Sequence, residues 1–206
     1  MTRSARWLAA VAVLTATLTL PGTAQTPKSR AATETAIFAA GCFWCVEEAF
    51  DKVAGVVSTT SGYTAGRTRD PSYEDVSSGG TGHTEALQVV YDPGKVSYEA
   101  LLATFWRNVD AVDGGGQFCD RGSQYRSGIY VRTPEQRRLA ETSRTAVAAQ
   151  LGKPIATEIV AASEFYQAEG YHQDYYTKNP VRYKFYKWNC GRAQRLAELW
   201  GTSSGR

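Results

Sequence analysis

Apolar positions recur along this chain with two different periods, and the switches between them outline its elements. Residues 35–40 (TAIFAA) form a short apolar run that stops at Gly41, the pattern of a buried strand. Between Cys42 and Lys52, apolar Val46, Ala49 and Phe50 fall at helical spacing, with Glu47 and Glu48 on the polar side. Residues 56–63 suggest a second strand. Residues 67–83, rich in Gly, Ser, Thr and Asp, predict a long loop of the kind that is usually functional. EALQVVY at 85–91 alternates as a strand and runs into the turn Asp92-Pro93-Gly94. Ser97 opens a helix to Asn108, with Tyr98, Leu101, Leu102, Phe105 and Trp106 on its apolar side. A second Gly-rich loop, 113–127, precedes a strand at 128–132. Thr133-Pro134-Glu135-Gln136 then starts a helix to about Leu151, with a threonine cap and proline at the first position. Residues 157–162 predict another strand, and 167–176 and 193–200 further helices. Strands mixed with helices in this way predict a mixed sheet with helices packed on it, α/β or α+β.

Length and composition agree with one globular domain. The 206 residues are 43% hydrophobic and 21% charged, which excludes a disordered chain, a collagen-like fibre and a polytopic membrane protein. Residues 1–24 have the pattern of a signal peptide: Arg3 and Arg6, an apolar stretch from Trp7 to Leu20, the breakers Pro21 and Gly22, and small residues to Ala24. That run is shorter than the about 20 apolar residues of a membrane span, so cleavage and export to a periplasmic or secreted location are expected. Residues 25–34 are expected to be a polar tether, and 35–206 a single catalytic domain. The net charge of +3 loses Arg3 and Arg6 with the leader, leaving a nearly neutral domain with no electrostatic case for nucleic acid or membrane. The aromatic and basic stretch 171–188 is accordingly expected in the core and on a substrate-groove rim.

Four cysteines are too few for a disulfide scaffold, and two of them form the sharpest motif in the chain, Gly41-Cys42-Phe43-Trp44-Cys45. It sits at the expected strand-to-helix junction. Unpaired backbone N–H groups and the helix macrodipole there should lower the pKa of Cys42 and raise its nucleophilicity. Cys45 lies one helical turn on, within reach of a sulfenic acid formed on Cys42. Half of a zinc site and a static disulfide are the other readings of this spacing. A structural zinc site usually needs two such pairs, whereas Cys119 and Cys190 stand singly. His83 and His172, far apart in sequence, are expected to be structural, with no metal site.

The segment Gly41-Cys42-Phe43-Trp44 resembles the signature of the A-type peptide methionine sulfoxide reductases. Gly62-Tyr63-Thr64, Tyr73-Glu74-Asp75-Val76, Thr81-Gly82-His83-Thr84-Glu85-Ala86, Gln124-Tyr125-Arg126-Ser127 and Tyr171-His172-Gln173-Asp174-Tyr175 follow in the family's order. Several ordered motifs are far more specific than a lone Cys-x-x-Cys. The resemblance implies a two-layer α+β sandwich of ferredoxin-like type with a mixed sheet. It also implies an enzyme that reduces the S epimer of methionine sulfoxide, in oxidised proteins or free. In that reading Cys42 is the nucleophile, Cys45 the resolving thiol and Glu85 the proton donor. Tyr73 and Tyr125 hydrogen-bond the sulfoxide oxygen, Asp120 orders the polar network, and Phe43 and Trp44 pack against the substrate methyl. No bound cofactor is implied, only an external thioredoxin-like dithiol reductant acting on a monomer. Many family members have glycine at the position of Cys45 and asparagine at that of Cys119. Here Cys119 and Cys190 are expected to pair as a structural disulfide, with a relay role for Cys190 as the other reading. Two rival functions stay open on the residues alone: a thioredoxin-like disulfide oxidoreductase, and an exported binding domain held by two static disulfides.

Overall fold

The apolar run after the leader becomes a central strand. In the computed structural model, which describes residues 32–201, β1 (Glu34–Ala40) lies between β3 (Thr84–Tyr91) and β6 (Ser127–Val131), antiparallel to both. Strand β2 (Val56–Thr64) pairs with β3, and β8 (Phe165–Gln167) with β2, again antiparallel. Strand β7 (Glu158–Ala161) runs parallel to β6 at the other edge, giving the order β7-β6-β1-β3-β2-β8. A parallel neighbour needs a long crossover, and the 18-residue helix α4 (Pro134–Leu151) supplies it. The result is α+β, a mixed sheet with helices packed on it. The signal-peptide assignment and most of the expected tether lie outside the described residues, and the first strand starts at Glu34, one residue before the expected domain start.

The alternation of β1 divides the interior. Ala36, Phe38 and Ala40 face the main core, while Ile37 and Ala39 face a smaller cluster with Ala86 and Tyr130 on the opposite side. Phe38 stacks on Phe50 of α1 (Phe43–Asp51) at 5.0 Å and on Phe105 of α3 (Tyr98–Arg107) at 5.4 Å. Burying one such ring contributes about 1.5–3 kcal/mol. Helix α4 begins as its sequence predicts, with Gln136 N–H donating to Thr133 Oγ1 at 3.1 Å and Pro134 at the first turn.

The loops and the C-terminal third depart from expectation. The loop at 67–83 contains a short helix, α2 (Tyr73–Ser77), whose Ser72 and Asp75 form a capping box. The loop at 113–127 contains the small hairpin β4 (Gly116–Gln117) and β5 (Asp120–Arg121), then a 3₁₀ turn at Ser123–Tyr125. The helix expected at 167–176 is replaced by β8 and a turn, with helix only at α5 (Tyr175–Lys178). Gln167 pairs with β2, and Ala168 N and the Gln173 side chain bond the Ser61 backbone, holding the turn against that strand. Two further helices close the chain, α6 (Pro180–Asn189) and α7 (Arg192–Trp200). Leu196 and Trp200 join the main core, and the Arg107 guanidinium sits 4.3 Å from the Trp200 ring centre. Helix α6 buries Tyr183 but leaves Val181, Phe185 and Trp188 exposed, so only part of the aromatic stretch is core or rim.

Candidate active site

Gly41 holds the turn that aims the cysteine motif. Its φ of +75° is left-handed, and a Cβ there would lie 2.5 Å from Gln117 Cβ. Gln117 is itself buried and pinned, its Nε2 donating to Asp110 O at 2.9 Å and its Oε1 accepting from Asp110 N at 2.8 Å. The next residue, Cys42, is the N-cap of α1; its carbonyl accepts from Cys45 N at 3.1 Å while its side chain caps nothing. Its sulfur is therefore left for other partners. Cys42 and Cys45 are both buried free thiols, one turn apart.

Glu85 reaches the same place by strand parity. Leu87, Val89 and Tyr91 of β3 point into the main core, so Glu85, two residues before Leu87, points to that side too. It is 3% exposed, and its Oε2 accepts the Phe43 backbone N–H at 3.0 Å. Burial pushes its carboxyl up to about 8, against the pull of that hydrogen bond. A buried acid that is neutral at pH 7 is the form that can donate a proton.

Tyr73 from α2, Tyr125 from the 3₁₀ turn and Asp120 from β5 close around Cys42, Phe43, Trp44 and Glu85 to line a cavity of ≈ 70 Å³. Seven of the eight expected site residues are thus brought together, all but the second thiol. Burial, then the Glu85 charge, raises both phenols, Tyr73 to about 12, so both remain hydrogen-bond donors. Cys45 is not among the cavity-lining residues.

The thiols reverse one expectation. Cys42, expected to have a lowered pKa, is raised well above the ordinary thiol value, first by burial and then by the Cys45 sulfur and Glu85. Cys45 is instead pushed down to about 6, first by the hydrogen bond from Cys42, against its own burial, with help from Arg192, the Tyr183 phenol and Lys187. The first negative charge of the pair therefore rests on Cys45. Burial overrides the helix N-terminus at Cys42, and the Cys42 hydrogen bond, helped by Arg192 and Lys187, favours the charge on Cys45.

One wall is aromatic. Trp44 stacks on Tyr175 with ring centres 3.7 Å apart and donates its indole N–H to His172 Nδ1 at 3.0 Å. That bond places the His172 ring proton on Nε2. Phe43 packs on His172 at 4.9 Å. Glu169 ties this wall to α2 and β2, its Oε1 accepting from Tyr73 N at 2.8 Å and its Oε2 from the Tyr63 phenol at 2.8 Å. His83 is structural in a second place: Gly66 N donates to its Nδ1 at 3.1 Å and its Nε2 lies 2.7 Å from Thr68 O.

Sequence reasoning missed Tyr186, which also lines the cavity. Its phenol donates to Asp120 Oδ2 at 2.5 Å, and Trp44 meets its ring edge-on at 5.8 Å. A signal was present: Asn179-Pro180 is a helix start, and Tyr183, Tyr186 and Cys190 then recur on one face. Cys190 closes α6 and is disulfide-bonded to Cys119, with Cα atoms 4.8 Å apart. Tyr183 donates to Glu48 Oε2 at 2.5 Å, and Lys187 pairs with the same carboxylate. Arg192, buried, donates to Asn108 O at 2.5 Å and to Ala40 O at 3.3 Å.

A buried dithiol at a helix start, a neutral carboxylic acid across the cavity and two phenols beside it define a thiol-based oxidoreductase acting on a small polar oxygen. Comparison with known proteins narrows this class. The sequence model described as Peptide methionine sulfoxide reductase matches residues 34–204. The chain is 50% identical over 194 residues to Peptide methionine sulfoxide reductase MsrA 2 of Caulobacter vibrioides, covering 94% of this chain and 95% of that one. It is 47% identical over 170 residues to Peptide methionine sulfoxide reductase MsrA of Bacillus subtilis, covering 82% and 96%. The reduced form of Mxr1 from Saccharomyces cerevisiae superposes with a TM-score of 0.70 at 32% identity, covering 74% and 88%. The chain belongs to the peptide methionine sulfoxide reductase family.

Proposed function

We propose that the chain reduces the S epimer of methionine sulfoxide, free or in oxidised proteins, to methionine. The single observation that carries this reading is the pairing of Cys42 and Glu85 across one cavity, linked through the Phe43 N–H. Only Cys42 of the two thiols lines that cavity, so position makes it the nucleophile. As its sulfur attacks the sulfoxide sulfur, the Cys42 proton passes to the Cys45 thiolate that already accepts it. Glu85, neutral in the resting site, protonates the sulfoxide oxygen, and Tyr73 and Tyr125 stabilise the charge that develops on it. The protonated oxygen then passes to the Cys42 sulfur: the substrate S–O bond and the transient bond between the two sulfurs break, methionine leaves with its sulfur reduced, and Cys42 is oxidised to sulfenic acid. Phe43 and Trp44 supply an apolar seat for the substrate methyl. Unoxidised methionine leaves the polar donors unpaired and is disfavoured.

The Cys45 sulfur then attacks the Cys42 sulfur, water leaves, and a Cys42–Cys45 disulfide forms. A thioredoxin-like dithiol returns the pair to thiols. Mxr1 has also been crystallised in complex with Trx2, which supports that reductant class. No bound cofactor takes part in this scheme. The reading takes the enzyme to act as a monomer. The leader pattern of residues 1–24 supports export to a periplasmic or secreted location, where repair of oxidised proteins would occur. Turnover of the two resolved sulfoxide epimers with dithiothreitol tests the reading. Methionine is expected from the S epimer alone, and release from neither epimer overturns it.

A further inference from the structure

Glu85 accounts for the proton delivered to the sulfoxide oxygen, but the second step needs one as well. When the Cys45 thiolate attacks sulfenic Cys42, the hydroxyl on Cys42 must leave as water. One further phenol lines the cavity beside Cys42, and it comes from α6. The Tyr186 phenol lines the same cavity as Cys42 and donates to Asp120 Oδ2 at 2.5 Å. Its ring is held edge-on against Trp44 at 5.8 Å.

Three features fix this contact. Asp120 follows Cys119 directly, and Tyr186 lies one helical turn before Cys190, so the Cys119–Cys190 disulfide and the Asp120–Tyr186 hydrogen bond join the same two segments side by side. Helix α6 is anchored again by Tyr183 and Lys187 on Glu48. Beyond the disulfide, Arg192 binds the carbonyls of Ala40 and Asn108 next to the cysteine turn. A phenol held on both sides in this manner is more than a packing residue.

We propose that Tyr186, resupplied by Asp120, is the acid of the resolving step, handing a proton to the hydroxyl that leaves Cys42. The proton and electron count closes. Cys45 releases its proton to solvent and enters as thiolate; its sulfur bonds to Cys42 sulfur as the Cys42 S–O bond breaks. The phenol proton goes to the departing hydroxyl, giving water, while the Asp120 carboxyl proton moves to the phenolate, and Asp120 takes a proton back from solvent. Burial raises the Asp120 carboxyl, against the Tyr186 hydrogen bond and the Arg192 charge. Two carboxylic acids thus serve two steps: Glu85 the sulfoxide, the Asp120–Tyr186 pair the sulfenic acid.

The inference rests on the reductase reading, and the experiment separates the two. Single turnover without reductant is followed by two signals, methionine released and Cys42–Cys45 disulfide formed, with a dimedone-type probe trapping sulfenic acid. For Tyr186→Phe, disulfide formation should slow by about a hundredfold or more relative to methionine release, the low end of a positioned acid's contribution. Sulfenic acid should accumulate in the same interval. Asp120→Asn, which keeps a hydrogen-bond partner for the phenol but carries no acidic proton, should show the same split, and it decides the matter should the phenylalanine variant fail to fold. Disulfide formation at the wild-type rate in these variants, or equal slowing of both signals as a merely positional role would give, overturns the proposal. Failure of the unmodified protein to release methionine would instead remove the reductase reading itself.

Discussion

The backbone N–H of Phe43 donates to Glu85 Oε2 at 3.0 Å, so the first turn of α1 is capped by the acid on β3 rather than by the Cys42 side chain. This one bond fixes the distance between the nucleophile's helix and its proton donor. It also opposes the burial that raises the carboxyl, and burial wins, leaving Glu85 at about 8.

Replacing Glu85 should therefore act on chemistry more than on architecture. Glu85→Gln keeps an acceptor for the Phe43 N–H and removes the proton, so single-turnover methionine release should slow by roughly 10²–10⁴-fold. The pH profile gives the sign. The acid is useful while protonated, so wild-type release should decline as pH rises through about 8, and the glutamine variant should lack that decline. A wild-type profile flat from neutral to alkaline pH would remove Glu85 from the role. Stability should follow the same direction, since native Glu85 binds a proton that the unfolded chain has lost between its ordinary value and about 8. Raising the pH across that window weakens the fold.

The thiol pair offers a second measurement. Thiolate ultraviolet absorbance of the reduced protein should show the first ionisation near pH 6, carried by Cys45. Cys45→Ser should lose that ionisation and leave Cys42 protonated through neutral pH, because burial and the nearby Glu85 still hold it up. It should still release one equivalent of methionine and stop as sulfenic acid. Cys42→Ser should release none; a full equivalent from it would show that the nucleophile has been misassigned.

Gly41 is the backbone counterpart. Gly41→Ala places a Cβ against Gln117 at a left-handed φ, so it should destabilise by more than about 1 kcal/mol in chemical denaturation. Methionine release should fall with it, because the turn aims Cys42. An alanine variant of unchanged stability would mean that the turn adapts freely.

How much of this was legible in the sequence follows a physical line. Elements whose signals are local came through: Thr133-Pro134 opening α4, Ser97 capping α3, and the apolar run of β1 flanked by Gly41. On the residues alone only the cysteine motif pointed to chemistry; Phe43, Trp44, Tyr73, Glu85, Asp120 and Tyr125 were reached through the family resemblance of their ordered motifs, and the cavity gathers them with Cys42. What failed depends on partners distant in sequence. The stretch 167–176 was expected to be helical, but Gln167 pairs with β2 and Gln173 bonds the Ser61 backbone, and part of the charge balance at the dithiol comes from Arg192 and Lys187, about 140 residues after Cys45. Tyr186 was hidden for the same reason: its partner Asp120 lies 66 residues upstream.

The last prediction separates two meanings of the Cys119–Cys190 disulfide. It closes a 71-residue separation and ties the Asp120 hairpin to the end of α6. If it is structural, Cys190→Ser should lose about 2–4 kcal/mol, a drop in Tm of roughly 4–16 °C for a domain of this size. Its Cys42–Cys45 disulfide should still be reduced by a thioredoxin-like dithiol. If Cys190 is instead a relay, stability should hold while that disulfide persists and turnover stalls after one cycle. The geometry favours the structural role. Cys42 and Cys45 already lie one turn apart and need no third thiol to resolve, whereas α6 depends on its C-terminal anchor to keep Tyr183 and Tyr186 over the two sulfurs. Peptide mapping of the air-oxidised protein checks the pairing directly, and a Cys45–Cys190 linkage there would defeat the structural assignment.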